Sequence, residues 1–300
     1  MVSNSSILKA LIYSDIFDYP LSKEEIWRFL IAKNVENIDR TSFEKALFEF
    51  PPVKWEQENG FYFVSGRREI VEKRIKIEKE SGKKLELARK IIEKLSLIPT
   101  VLFIGISGGL ALENAEEKDD IDLFVITSKN TLWITRLILV LLLILMGQYR
   151  GRRNPPAGGE SNKVCLNMLI DEEALMFKKD RQNLYTAHEI IQLKPIFDRN
   201  NMYKRFLLAN KWTEKFLPNG IDIRILGYKD IKKKSPSILI SQYLSIFERI
   251  AKNIQLLYMK KHRTKETVES HFLAFHPFDY KSFVLKEYNK RLNKYDKYEI

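Results

Sequence analysis

The chain has 300 residues, of which 45% are hydrophobic and 30% are charged, a composition typical of globular proteins and not of disordered ones. Its single cysteine, Cys165, excludes an intrachain disulfide and a cysteine-rich zinc site and fits a reducing, cytoplasmic setting. The 51 basic and 39 acidic residues leave a net charge of +12, which attracts polyanions, although many lysine-rich proteins bind no nucleic acid.

Residues 1–66 predict three helices followed by a hairpin. Apolar residues recur at helical spacing over residues 5–16. Ser22 and Glu25 have the spacing of a capping box and open a second helix that we expect to reach residue 32. A third helix begins near residue 41 and is expected to end at residues 51–52, which are both proline. Two short apolar runs, at residues 53–55 and 61–64, then flank residues 56–60, and the Asn59-Gly60 dipeptide in this segment is typical of tight hairpin turns.

This order of elements is that of a winged helix, a domain whose third helix can enter the major groove of DNA. The third helix carries acidic as well as basic side chains on its solvent face. A packing or protein-docking role is therefore as well supported as DNA binding. Residues 67–98 follow as a charged connecting helix, with a break expected at Ser81-Gly82.

Residues 99–200 predict a mixed sheet with flanking helices. The apolar run 101–106 indicates a buried strand, residues 120–127 and 163–170 two more, and residues 130–146 an apolar helix. That helix is too short to span a bilayer, which needs about 20 apolar residues, so membrane contact is only a third alternative. We expect no signal peptide, a loop over residues 147–162, and a mainly helical region over 201–300.

The residues that can carry chemistry lie between the first two strands of this central region. Ser107-Gly108-Gly109 follows the first strand, and two glycines permit a tight turn in which backbone N–H groups approach an anion. Asp120 and Asp122 open the next strand, and alternate residues of a strand share a face. Two neighbouring carboxylates repel unless a cation lies between them, and Mg²⁺ prefers oxygen ligands.

A glycine pair, about ten further residues and then Asp-x-Asp on a strand resembles the signature of the polymerase-beta-like nucleotidyltransferase superfamily. The resemblance implies that Gly108 and Gly109 hold a triphosphate, with Ser107 as a further phosphate donor. It also implies that Asp120 and Asp122 are catalytic residues binding Mg²⁺ or Mn²⁺. The whole order, with a Phe-Asp-Tyr-Pro segment in the winged helix, resembles uncharacterised bacterial proteins with a nucleotidyltransferase domain.

The superfamily usually has a third carboxylate on a later strand, and here the sequence departs from its pattern. The central polar residue of the third strand is Asn167, which can offer an oxygen to a metal but cannot act as a general base. Asp171 lies at the end of the same strand, on the same face by simple alternation. We also expect Tyr185 to begin a helix that extends to residue 198.

The sequence thus predicts an α+β protein that transfers a nucleoside monophosphate from a nucleoside triphosphate (NTP) to a hydroxyl of a protein, an RNA or a small molecule. The alternative is a regulator that senses nucleotide, turns it over weakly or not at all, and binds DNA or a partner. Asn167 and the basic charge favour that alternative. His188 is expected to be a packing or surface histidine, and a metal site at His271 and His276 is not expected without further ligands.

Overall fold

The computed structural model describes residues 4–32, 39–49, 54–150, 162–221, 238–260, 266–275 and 279–296. Within these residues the protein has a mixed α/β architecture with ten α-helices, a three-stranded sheet and a six-stranded sheet. The helices are α1 (Asn4–Asp15), α2 (Lys23–Arg28), α3 (Arg40–Glu49), α4 (Glu69–Leu95), α5 (Gly108–Ala111), α6 (Leu132–Leu145), α7 (Leu184–Gln192), α8 (Met202–Ala209), α9 (Ile238–Lys260) and α10 (Tyr280–Asp296). The strands are β1 (Leu21–Ser22), β2 (Trp55–Glu58), β3 (Phe61–Val64), β4 (Val101–Ile106), β5 (Ile121–Thr127), β6 (Val164–Asp171), β7 (Lys194–Asp198), β8 (Thr267–Val268) and β9 (Phe272–Ala274).

The N-terminal region contains the expected three helices and hairpin. The predicted capping box is present, with the Ser22 side chain accepting from the Glu25 backbone and the Glu25 carboxylate accepting from the Ser22 backbone. The turn between β2 and β3 places Asn59 at φ 50° and Gly60 at φ 81°, a left-handed pair that matches the strand twist. β3 lies in the middle of the small sheet, between β1 and β2.

Two expectations for the helices of this half are wrong. α2 ends at Arg28 and not near residue 32, although the three residues that follow it are buried. α4 runs unbroken through Ser81-Gly82. The Ser81 hydroxyl, fully buried, donates to the carbonyl of Ala115 and accepts from its N–H, so a contact with another segment holds the helix at this point. The prolines at 51–52 lie outside the described residues.

The large sheet has the strand order β7-β4-β5-β6-β9-β8. β5 and β6 run parallel, and every other neighbouring pair is antiparallel. In the pairing of β5 with β6, Leu123 faces Leu166 and Phe124 faces Met168. Asn167 is therefore an extra residue, a β-bulge that shifts the alternation along the rest of β6.

Each face of the large sheet is covered by its own hydrophobic cluster. On one face Ile104, Leu123 and Val125 pack with residues of α4, α6 and α9. On the other face Phe103 and Phe124 pack with α7, α8 and the N-terminal helices. Because successive side chains of a strand point to opposite faces, the side chain of Asp122 lies on the same face as Phe124, which is the face covered by α7.

One correction concerns the large sheet. The segment that ends at residue 198 was expected to be helical throughout, but α7 ends at Gln192 and residues 194–198 form the edge strand β7. Pro195 is tolerated there because an edge strand has one side without ladder hydrogen bonds. The described part of residues 201–300 is mainly helical, but it also supplies β8 and β9, which extend the sheet beyond β6. The expected breaks near residues 236 and 277 lie outside the described residues.

The apolar helix α6 packs against α9. Trp133, Leu139 and Leu143 are buried, whereas Leu141 and Leu145 are exposed. Among the described residues, no helix combines the length and the apolar character needed to cross a membrane. Of the expected loop at 147–162, residues 151–161 lie outside the described residues.

Candidate functional site

The glycine turn after β4 lies directly against the acidic strand β5. Gly108 has a φ of +64°, a conformation that side chains other than glycine rarely adopt, and a Cβ added to it would lie 2.9 Å from Oδ2 of Asp122. A Cβ on Gly109 would lie 2.8 Å from the carbonyl oxygen of Asn114. Both glycines are therefore required for close approach, one to a carboxylate and the other to the loop that leads to it.

Ser107 connects this turn to β5 and β6. Its backbone N–H donates to the carbonyl of Asp122 over 2.9 Å. Its hydroxyl accepts from the Asn167 side-chain amide at 3.3 Å. The structure thus brings four of the predicted residues together: Ser107, Gly108, Asp122 and Asn167.

Asp122 is a poorly solvated carboxylate. Burial raises its pKa to about 6, and the negative charge of Asp119 adds to the increase, while a hydrogen bond from the Cys165 side chain opposes it. Cys165 faces Asp122 across the β5–β6 pair. A carboxylate with a raised pKa lacks compensating positive charge, and it would be stabilised by a cation bound beside it.

Asp120 has a different environment. Its side chain is largely buried and forms an ion pair with the half-exposed side chain of Arg150. The backbone of Arg150 is held by a hydrogen bond from its N–H to the carbonyl of Val164, at the start of β6. Asp120 therefore already has a positive partner, which the sequence did not predict.

The loop between the glycines and the acids is fixed by α4. The ammonium group of Lys84, which is buried, donates to the carbonyls of Glu116, Glu117 and Asp119 at 2.7, 3.1 and 2.5 Å. Burial lowers the pKa of Lys84. These bonds hold the backbone immediately before Asp120, so the helix expected to be a solvated connector contributes to the geometry of the site.

The carboxylate of Asp171 is distant from this site. It pairs in register with Thr127, whereas Asp122 pairs with Cys165 at the other end of the two strands. Its oxygens accept hydrogen bonds from the backbone N–H groups of Asn130 and Glu173, and it lies 2.8 Å from Nδ1 of His271. The bulge at Asn167 also breaks the alternation that had put both residues on one face. Asp171 acts as a structural cap.

Glu189 is an acidic residue near the site that the sequence analysis missed. It lies on α7, and burial raises its pKa to about 7, with a further contribution from the charge of Asp122. Both causes raise the pKa, and within the described part of the chain no hydrogen bond or ion pair opposes them. An acid directly before two isoleucines in the middle of an amphipathic helix is the signal that could have identified it.

The same region contains a cavity of about 310 Å³, which we call the aromatic pocket. Its lining includes the polar residues Ser107, Asn167 and Glu189 and the aromatic residues Tyr185, Phe272 and Tyr280. Arg181 also contributes to the lining, with its guanidinium 3.9 Å from the centre of the Phe272 ring. The pocket therefore lies between α7 and the sheet, next to the residue that begins the glycine turn.

The N-terminal region contacts the loop after the glycine turn. The Tyr19 hydroxyl donates to the carbonyl of Leu112 at 2.9 Å, and the Asn114 amide donates to the carbonyl of Phe17 at 3.3 Å. The Phe-Asp-Tyr-Pro segment is thus the part of the N-terminal region that packs on the site. Arg74 holds this segment from α4, with its guanidinium 4.2 Å from the centre of the Tyr19 ring.

The three histidines named from the sequence differ in their surroundings. His188 is buried, stacks on Tyr13 with 3.7 Å between ring centroids, and accordingly has a packing role. His271 contacts Asp171, as described above, and His276 lies outside the described residues. Across the described ranges, no group of three or more His, Cys, Asp or Glu side chains is arranged so as to hold a metal ion.

Comparison with protein-family models finds no match for the chain, and comparisons with curated proteins and with solved structures find none either.

Proposed function

We propose that the protein is a metal-dependent nucleotidyltransferase, which moves a nucleoside monophosphate from an NTP to an acceptor hydroxyl. The observation that supports this most is the contact between the Gly108 turn and the Asp122 carboxylate. A turn without side chains lets backbone N–H groups approach phosphate. A desolvated carboxylate beside that turn is where a divalent cation can join the protein to a polyphosphate.

The residues present fit a divalent cation at this position. Asp122 has a raised pKa and no basic partner among the causes of its shift, and its carboxylate oxygens are the ligand type that Mg²⁺ prefers. Asp120 is the second ligand in the proposal, with Asn167 as a possible amide ligand. When bound, Mg²⁺ would neutralise charge on the triphosphate and on the leaving pyrophosphate.

In this proposal Arg150 has two roles. Without nucleotide it balances the charge of Asp120, as the ion pair indicates. With nucleotide bound, the proposal has the same guanidinium bind phosphate oxygens, which guanidinium groups bind well. Exchange of one partner for the other would leave Asp120 free to bind the cation.

Glu189 takes the role that Asn167 cannot perform. An amide does not accept a proton at neutral pH, so an attacking hydroxyl needs another base. Glu189 lines the aromatic pocket, shares that lining with Asn167 and senses the charge of Asp122. With a pKa of about 7, its carboxylate is suited to accept a proton near neutral pH.

The second candidate function is nucleotide sensing with little or no turnover. It is favoured by the amide at Asn167 and by the pairing of Asp120 with Arg150. In this version the N-terminal region is a winged helix, supported by the element order and by the β1-β3-β2 sheet. Its contacts through Tyr19 with the loop after the glycines would transmit nucleotide binding to a DNA or protein partner.

The test is transfer of label from each α-³²P-labelled NTP, with Mg²⁺ and cell extract as the source of acceptor. We expect transfer by the native protein, and loss of both transfer and NTP affinity in Asp122→Asn. Glu189→Gln should lower transfer by about 100-fold or more, in the range of a lost general base, while calorimetry shows nearly unchanged NTP affinity. Glu117→Gln changes an exposed acid of the same loop and is the matched control.

Three results would decide between the candidates. Transfer that survives in Asp122→Asn would exclude the proposed chemistry. NTP binding without transfer in the native protein would favour the sensor, and Asn167→Asp should then raise transfer by supplying the absent acid. Absence of NTP binding in the presence of both Mg²⁺ and Mn²⁺ would exclude both candidates.

A further inference from the structure

We infer that the aromatic pocket binds the acceptor of the proposed reaction, and that this acceptor is a small molecule with an apolar body and a hydroxyl group, neutral or cationic but not anionic. The inference rests on the proposed function for its chemical role, because the pocket is called an acceptor site only if nucleotide binds at the glycine turn. The binding preference itself depends on the lining residues alone.

The size and lining of the pocket favour a small molecule. Its volume of about 310 Å³ is at the lower end of the range for small-molecule sites, which is roughly 300–1,000 Å³. Much of its wall is apolar and comes from several elements, with contributions from Phe124, Met168, Phe177, Phe206 and Phe272. An apolar ring fills such a space by displacing poorly bonded water.

Two polar residues of the pocket lie next to the glycine turn. Ser107 and Asn167 are hydrogen-bonded to each other and both contribute to the lining. Ser107 directly precedes Gly108, whose turn contacts Asp122. A hydroxyl group that points toward Asn167 would therefore lie beside the turn at which the proposed function places the triphosphate.

The charges in the pocket select against anions. Glu189 is a poorly solvated carboxylate, whereas Asp279, the other acid of the lining, is exposed and accepts hydrogen bonds from Ser282. Of the two basic residues in the lining, Arg181 is paired with Glu269 and Lys281 is exposed. A phosphate or carboxylate next to Glu189 would meet like charge at low effective dielectric. This argues against RNA as the acceptor.

Binding of two matched probes tests the inference, using saturation-transfer NMR titrations of the full chain at pH 8.5 without nucleotide or metal. The probes are 2-phenylethanol and phenylacetate, which share a ring and differ in charge. We expect the native protein to prefer the alcohol by tenfold or more, and Glu189→Gln to reduce that preference below threefold. Thr186→Phe, which places a ring at the pocket wall, should weaken both probes at least tenfold, while Glu117→Gln should change neither.

Equal or tighter binding of phenylacetate to the native protein would overturn the inference, and so would failure of the alcohol to bind. Unchanged binding of both probes by a folded Thr186→Phe protein would do the same, since the probes would then lie elsewhere. If Thr186→Phe does not fold, the Glu189→Gln comparison still decides. Because no nucleotide is present, failure here leaves the proposed nucleotide site standing. If the native protein binds the alcohol but does not bind NTP, the pocket keeps its binding preference and loses only the role of acceptor site.

Discussion

Substitution of Gly108 by alanine tests the central contact of the site. Two effects are expected. The first is backbone strain, because φ is +64° and the left-handed region costs a residue with a Cβ about 1–2 kcal/mol. The second is steric, because the new Cβ would lie 2.9 Å from Oδ2 of Asp122, closer than ordinary van der Waals contact, and the carboxylate would have to move away from the turn.

The chain offers a matched control for the first effect. Gly147 has the same φ of +64°, but a Cβ added there would meet no atom within 4 Å. Gly147→Ala should therefore have the strain without the displacement of Asp122. We expect both variants to lose about 1–2 kcal/mol of unfolding free energy, measured by urea denaturation. Only Gly108→Ala should lose NTP affinity, by tenfold or more in calorimetry with Mg²⁺, which corresponds to about 1.4 kcal/mol.

The reasoning is refuted if Gly108→Ala binds NTP as tightly as the native protein, because the turn and the carboxylate would then be energetically independent. It is also refuted if Gly147→Ala loses the same affinity, because general strain would then explain the effect. A control for stability comes from Gly66→Ala, where φ is +83° and no atom lies within 4 Å.

Two further predictions concern buried charge. Lys84→Met removes three hydrogen bonds to loop carbonyls, so it should lower the unfolding free energy by about 2 kcal/mol or more and weaken NTP binding. Lys83→Met changes an exposed lysine and should have neither effect. Equal losses in the two variants would contradict the role of Lys84. Burial lowers the pKa of His188 from 6.5 to about 3, so below pH 6.5 the unfolded chain binds a proton that the folded one excludes. The contribution of His188 to stability should therefore fall by about 1.4 kcal/mol per pH unit toward pH 3. In denaturant titrations at several pH values, His188→Phe should make the unfolding free energy depend less on pH. An unchanged pH dependence would contradict the low pKa of His188.

Much of the local structure follows from the sequence. The capping box at Ser22, the Asn59-Gly60 turn and the strands on both sides of the glycine pair lie where the patterns predict them. In each case the cause is local, namely a side chain that bonds to its own backbone, a residue that tolerates positive φ, or an alternation that hides apolar groups. The helix expected through residue 198 was wrong because an edge position in the sheet favoured a strand over the continued helix.

The site itself is only partly a local property. Gly108 begins the turn after β4 and Asp122 lies in the adjacent strand β5, and the chain between them is short enough that their contact follows from the strand-turn-strand pattern. Glu189 reaches the same region only because α7 packs on that face of the sheet, and Arg150 reaches Asp120 only because its backbone bonds to the start of β6. Local preferences act through neighbouring residues, so they determine elements and tight turns. Which distant charges meet depends on how helices pack on the sheet and where a bulge shifts the register, and only the tertiary structure decides that.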